Sequence, residues 1–144
     1  MKYFKPFEAP VAPTFPDLTF DIRDYGAAEG GEAPATDAIR AAIADCSKRG
    51  GGRVIVPEGR WLTGPIHLRD NVNLHFAKGA FVEFSTDFYD YLPVVYGILG
   101  GIRVYSASHF LYAYQCKNIA ITGEGILDGH GEAWWYMKRH QPGM

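Results

Sequence analysis

The chain has 144 residues, the size of one ordinary domain, with 47% hydrophobic residues, 21% charged residues and a formal net charge of −2. That balance gives no reason to expect nucleic acid or an anionic membrane as partner, and the sequence contains no apolar run long enough to span a bilayer. Seventeen glycines and 15% aromatic residues point to many tight turns in a β-rich body, with most of the aromatic rings expected in the core.

Residues 1–17 carry Pro6, Pro10, Pro13 and Pro16 and read as an extended surface segment ahead of one domain, 18–144. They contain no apolar core of a secretory signal, so the expectation is a cytoplasmic protein if Met1 is the native start. LTFDIRDYGA (18–27) alternates Leu18, Phe20 and Ile22 with Thr19, Asp21 and Arg23, which predicts a half-buried strand ended by Gly26. After a loop over 27–35, one helix is predicted over 36–49. Thr36 is placed to N-cap it, Asp37 suits its first turn, and Ile39, Ala42, Ile43 and Cys46 form one apolar face. Lys48 and Arg49 sit in its last turn, and Gly50-Gly51-Gly52 ends it.

Beyond the glycines the pattern becomes short apolar runs: RVIVP (53–57), RWLTG (60–64), PIHL (65–68), NVNLHF (71–76) and AFVEF (80–84). A long segment, 85–109, interrupts as an excursion, and strands resume at FLYAY (110–114), NIAIT (118–122) and GILDG (125–129). Few hairpin signals of the Asn-Gly or Asp-Gly kind join them, Asp128-Gly129 being the exception. Cys46 and Cys116 lack metal-site spacing; a disulfide between them is open, and two buried free thiols are the simpler reading.

Two of the segments resemble each other. NVNLHFAKGAFVEF begins at Asn71 and NIAITGEGILDG at Asn118, each with a β-branched residue after the Asn and an aliphatic residue two places later. The 47-residue offset reads as two rungs of about 23 residues in a coiled repeat. Short strands with turns between them, preceded by one amphipathic helix, predict an all-β parallel solenoid whose exposed first end the helix caps. An antiparallel sandwich with one helix is the alternative; it accounts for the strands but not for the repeat.

DYGA (24–27), TDAIRAAIADC (36–46), GGGRVIVPEGRWLTGPIHLRDNVNLHFAKGAFVEFSTD (50–87), YLPVV (91–95) and YAYQCKNIAITGEGILDGHGEAWW (112–135) together resemble the N-terminal portion of glycoside hydrolase family 28, the polygalacturonase-like enzymes. The resemblance implies a right-handed parallel β-helix with an N-terminal capping helix, truncated at its C-terminal end. It also implies inverting hydrolysis of galacturonic-acid-containing (pectic) polysaccharide, with no cofactor and no metal.

Inverting hydrolysis needs an acid for the leaving oxygen and a carboxylate for the water, roughly 6.5–9.5 Å apart. The family's Asn-Thr-Asp, Asp-Asp and Arg-Ile-Lys motifs do not occur in this sequence, so no catalytic residue is assigned and the chain alone is expected to be inactive. His130-Gly131 looks like the family's catalytic His-Gly but lies in DGHGEAWW, which matches an earlier scaffold segment, so His130 and Asp128 are read as turn residues and Glu124 as solvated. Residues 116–135 are therefore read as a rung and its turn. Of Trp134 and Trp135, one indole could pack against the column while the other stacks on sugar; packing is the favoured reading. The candidate substrate-binding residues are Arg103, which can fork onto a carboxylate, Tyr105 and His109 as hydrogen-bonding groups, and Trp135 as a stacking face.

Two other functions stay open. One is a non-catalytic β-helix module that binds acidic glycan or self-associates through an uncapped C-terminal rung. The other is a lyase, for which the sequence lacks the clustered acids that hold Ca²⁺.

Overall fold

The structure is a computed structural model that describes residues 9–139. Strand β1 (Thr19–Asp21) and helix α1 (Thr36–Lys48) precede β2 (Gly52–Val56), β3 (Gly59–Thr63) and β4 (Ile66–His67). Then follow β5 (Val72–Phe76), β6 (Ala80–Phe84), a hairpin of β7 (Val95–Leu99) and β8 (Ile102–Ser106), β9 (Leu111–Tyr112), β10 (Ala120–Gly123), β11 (Ile126–Asp128) and helix α2 (Gly131–Arg139).

Three parallel ladders run up the molecule, in the orders β1-β2-β5-β10, β3-β6-β11 and β4-β9. Two successive turns, β2–β3–β4 and β5–β6–β9, each contribute one strand to every ladder in sequence, so this is a parallel β-helix; parallel crossovers of this kind are right-handed with few exceptions. The sandwich alternative is excluded by the parallel pairing within all three ladders. Inward side chains stack in columns: Val54 on Leu74, Val56 on Phe76, and Trp61 on Val82, all within the buried core. The Trp61 indole enters this core because its N–H donates to the Pro57 carbonyl at 2.9 Å.

Helix α1 closes the first end. Ile39, Ala42, Ile43 and Cys46 are all buried against the column. Its start differs from expectation: Ala35, not Thr36, occupies the N-cap, and no side chain caps the helix. Thr36 is the first helical residue, and its hydroxyl accepts the Gly64 N–H at 2.7 Å, tying helix to rung. The strand predicted over 18–27 is also shorter. After Asp21 the chain turns into a 3-10 segment (Ile22–Tyr25) that ends at Gly26, whose φ is 93°. Phe20 and Ile22 are buried as expected, whereas Leu18 is exposed.

The repeat is real, but its period is corrected. The step from β2 to β5 is 20 residues, with Gly52 opposite Val72. The step from β5 to β10, which places Asn73 opposite Ala120, spans a single rung rather than two. The surplus is the 85–109 excursion, inserted between β6 and β9. It contains a 3-10 turn (Phe88–Tyr91) and the β7–β8 hairpin, turned by Gly100-Gly101, both at positive φ. Asp128-Gly129 joins no hairpin. It leads into α2, a helix the reading of 116–135 as a rung and turn did not foresee. Cys46 and Cys116 are both free; Cys46 is buried and its thiol pKa is pushed up to about 11 by that burial, while Cys116 is only half-buried.

Residues 9–14 of the Pro-rich segment are exposed and outside any strand or helix, while 1–8 lie outside the described residues. No described helix is long and apolar enough to cross a membrane.

Candidate functional site

The aromatic residues do not gather in the core as expected. Phe20, Trp61, Phe76, Phe84 and Tyr91 are buried, but a second group stands outside the column, where the β7–β8 hairpin lies beside the β4–β9 ladder. Tyr96 on β7 meets Tyr105 of β8 edge-on at 5.6 Å between ring centroids, and Tyr114 at 5.2 Å. Tyr112 on β9 lies 5.0 Å from the His67 ring of β4 and 6.2 Å from that of His109. The Tyr112 hydroxyl donates to the Tyr96 carbonyl at 2.7 Å, which fixes the hairpin against the ladder.

Two cavities open here, one between the hairpin and β9 and its continuation, the other between the 3-10 turn, residues 107–110 and α2. One, of about 340 Å³, is lined by Tyr96, Gly97, His109, Tyr112 and Tyr114 among others. The other, of about 270 Å³, is lined by Tyr91, Ser108, His109, Phe110 and Trp134 among others. His109 lines both. Neither lining contains Asp or Glu, so an anionic ligand would meet no like charge on the walls. Rings with hydroxyl or ring-nitrogen tips suit a sugar, which offers an apolar face and a rim of polar groups.

Of the residues singled out in the sequence, His109 and Tyr105 come together here, the first in both cavities and the second edge-on to Tyr96. Arg103 is exposed on β8, opposite Ile98, and lines neither cavity. Trp135 is 65% exposed on α2. Its neighbour Trp134 is the packed indole. The Trp134 N–H donates to Gly129 O at 3.0 Å, and its ring meets Tyr91 and Phe110 edge-on. Tyr96, Tyr112, Tyr114, His67 and Ser108 were missed. The available signal was the tyrosine alternation in LYAY and the Gly-Gly turn, which together place tyrosines of two elements at one groove.

A separate polar cluster lies on the outer face of the β3-β6-β11 ladder. Arg60 makes a two-pronged contact with Glu83 through its Nε and, at 2.8 Å, through its Nη2. The His130 ring lies 3.6 Å from Glu83, and the His130 N–H donates to Asp128 Oδ1 at 2.9 Å. The Arg60 guanidinium holds the Glu83 carboxyl below the usual carboxylate range. Glu83 is thus neutralised and Asp128 closes its own turn, while Glu124 is exposed as expected. Among the described residues no group of three or more His, Cys, Asp and Glu is arranged to hold a metal ion.

This chain is similar to a solved hyperthermoactive exopolygalacturonase from Thermotoga maritima, with 41% identity and a TM-score of 0.85, over 93% of this chain and 31% of that one. It is also 34% identical over 119 residues to the exo-poly-alpha-D-galacturonosidase of Dickeya chrysanthemi, covering 77% of this chain and 19% of that protein. The chain belongs to the polygalacturonase-like family. The family 28 exopolygalacturonase of Yersinia enterocolitica is a further solved likeness, with 29% identity and a TM-score of 0.71, over 79% of this chain and 21% of that one. No family model matches the chain. The chain spans between 19% and 28% of the length of the curated relatives it matches. Its cap, its core ladders and the groove beside β4–β9 are therefore features of one part of a polygalacturonase-like β-helix.

Proposed function

We propose that this chain is the cap and first rungs of a polygalacturonase-like glycoside hydrolase that cleaves α-linked galacturonides in pectic polysaccharide with inversion, and that its own part is to bind the substrate. The observation that carries the proposal is the acid-free aromatic groove beside β4–β9, on a fold 41% identical to an exopolygalacturonase. Inverting hydrolysis requires two carboxyls flanking one bond. The groove walls supply none, and the acids on the outer β3-β6-β11 face, Glu83 and Asp128, are engaged by Arg60 and by a turn. The 144 residues by themselves therefore bind galacturonide and do not cleave it.

The test is a reducing-end assay on the pure 144-residue protein with polygalacturonate, run beside an ultraviolet assay for unsaturated products. Neither signal is expected. Reducing ends above background would overturn the division between binding and catalysis, and ultraviolet absorbance would point to β-elimination instead.

A second reading, a β-helix module that assembles with other chains, is favoured by the outer edges of β10 and β11, which pair with no further strand among the described residues. Ile121, in register above Leu74, is 47% exposed, and Ile126, above Phe81, is 59% exposed. Such edges pair readily with another strand.

A further inference from the structure

We propose that His67 and Ser108 form a positioning pair that sets His109 at the junction of the two groove cavities; the proposal rests on the groove being the galacturonide site. His67 ends the two-residue strand β4, and Ser108 lies 41 positions later, in the segment that returns from the hairpin to β9. The His67 Nε2 and the Ser108 hydroxyl oxygen are 2.8 Å apart. The same hydroxyl donates to the His109 carbonyl at 3.2 Å. One hydroxyl carries one proton, so the two contacts agree only if His67 holds its proton on Nε2 and donates it to Ser108. A relay then runs from the His67 ring through Ser108 to the backbone of His109.

The segment is held from a second side. The Ser108 N–H donates to the Tyr91 carbonyl at 2.8 Å, and Ser108 is buried. The His109 ring faces Gly97 of β7, where an added Cβ would lie 3.5 Å from His109 Nε2. Backbone, hydroxyl and hairpin thus converge on the one residue that lines both cavities. A nucleophile-and-base role for the same Ser–His pair does not fit, because the charged group that acts on His67 is the Arg40 cation rather than a carboxylate. Desolvation and that cation both hold the His67 pKa below its usual value, which suits a neutral donor.

The experiment compares His67→Leu, Ser108→Ala and His67→Gln with the parent chain. It uses trigalacturonate as the probe, the His109 ring resonances as a ligand-free readout, and circular dichroism to follow the fold. Gln keeps an N–H donor, so it should retain the parent affinity and His109 resonances. Leu and Ala should move the His109 resonances and weaken trigalacturonate binding about tenfold, the loss expected for one hydrogen bond and its orphaned partner. Unmoved His109 resonances in both His67→Leu and Ser108→Ala would overturn the positioning pair, whatever the binding result. Failure of the parent chain to bind trigalacturonate would instead overturn the groove as the galacturonide site, and with it the role given to His109. If His67→Leu fails to fold, Ser108→Ala against His67→Gln carries the same comparison.

Discussion

The Asn118 side-chain amide donates to the Asn71 side-chain carbonyl at 3.1 Å, and both residues hold left-handed backbone, with φ of 54° and 62°. They are the corners of successive rungs. Each places its chain for entry into the next strand, and the Asn71 backbone carbonyl accepts the N–H of Gly52 at 3.0 Å. Gly51 takes the same left-handed corner one rung below, where a side chain would run into Asn71. Asparagine suits the position because it tolerates positive φ and can stack its amide on the next copy.

Asn118→Ala should therefore lose about 1–2 kcal/mol of stability, from left-handed strain together with the amide's bonds to Asn71 and to the Thr14 carbonyl. Asn118→Gly, which relieves only the strain, should lose less. Urea unfolding of the three proteins measures this; a glycine variant less stable than the alanine one would contradict the corner argument.

Leu74 is fully buried in an inner strand of the longest ladder, between Val54 and Ile121. Leu74→Ala should cost about 2–5 kcal/mol, since the neighbouring rungs are hydrogen-bonded and cannot collapse onto the space. In so short a solenoid that loss should remove the cooperative unfolding transition at ordinary temperature, read by circular dichroism.

The Glu83 carboxyl has its folded pKa held below its ordinary value of 4.5, first by the hydrogen bond from Arg60. A lowered folded pKa gives stability that is present above the unfolded value and is lost as pH falls through the folded one. Glu83→Gln removes that increment. The stability gap between parent and variant should be constant above roughly pH 5 and should narrow below roughly pH 4. A gap that widens on acidification would reverse the sign assigned to the pair.

Exposed Ile121 and Ile126, on strand edges unpaired among the described residues, should produce concentration-dependent association in sedimentation velocity. Ile121→Glu should shift the population toward monomer. An unchanged distribution would place any association elsewhere.

The cap and the rungs were legible because their physics is local. The 3.6-residue spacing of Ile39, Ala42, Ile43 and Cys46, and the alternation in RVIVP and NVNLHF, each name a buried face without reference to the rest of the chain. The Asn71–Asn118 repeat was visible for the same reason, but its period was misread because the inserted hairpin doubles one rung in length. The N-cap was misread because Thr36 is claimed by Gly64, a partner 28 residues away. Helix α2 was missed because its run of Gly131, Glu132 and two tryptophans has no apolar spacing longer than a turn before Tyr136. The groove was the least legible part. His67 and Tyr112 meet across the β4–β9 ladder and Tyr96 reaches them only through the hairpin, so the sequence marks only His109 and Tyr105 there.

The most direct test of the account is a titration of the pure 144-residue protein with trigalacturonate, followed by nuclear magnetic resonance on both protein and sugar. The account predicts shifts concentrated at Tyr96, His109, Tyr112 and Tyr114, with the sugar's reducing-end signals unchanged in intensity over time. Shifts confined to the Glu83–His130 face, or growth of new reducing-end signals, would contradict it.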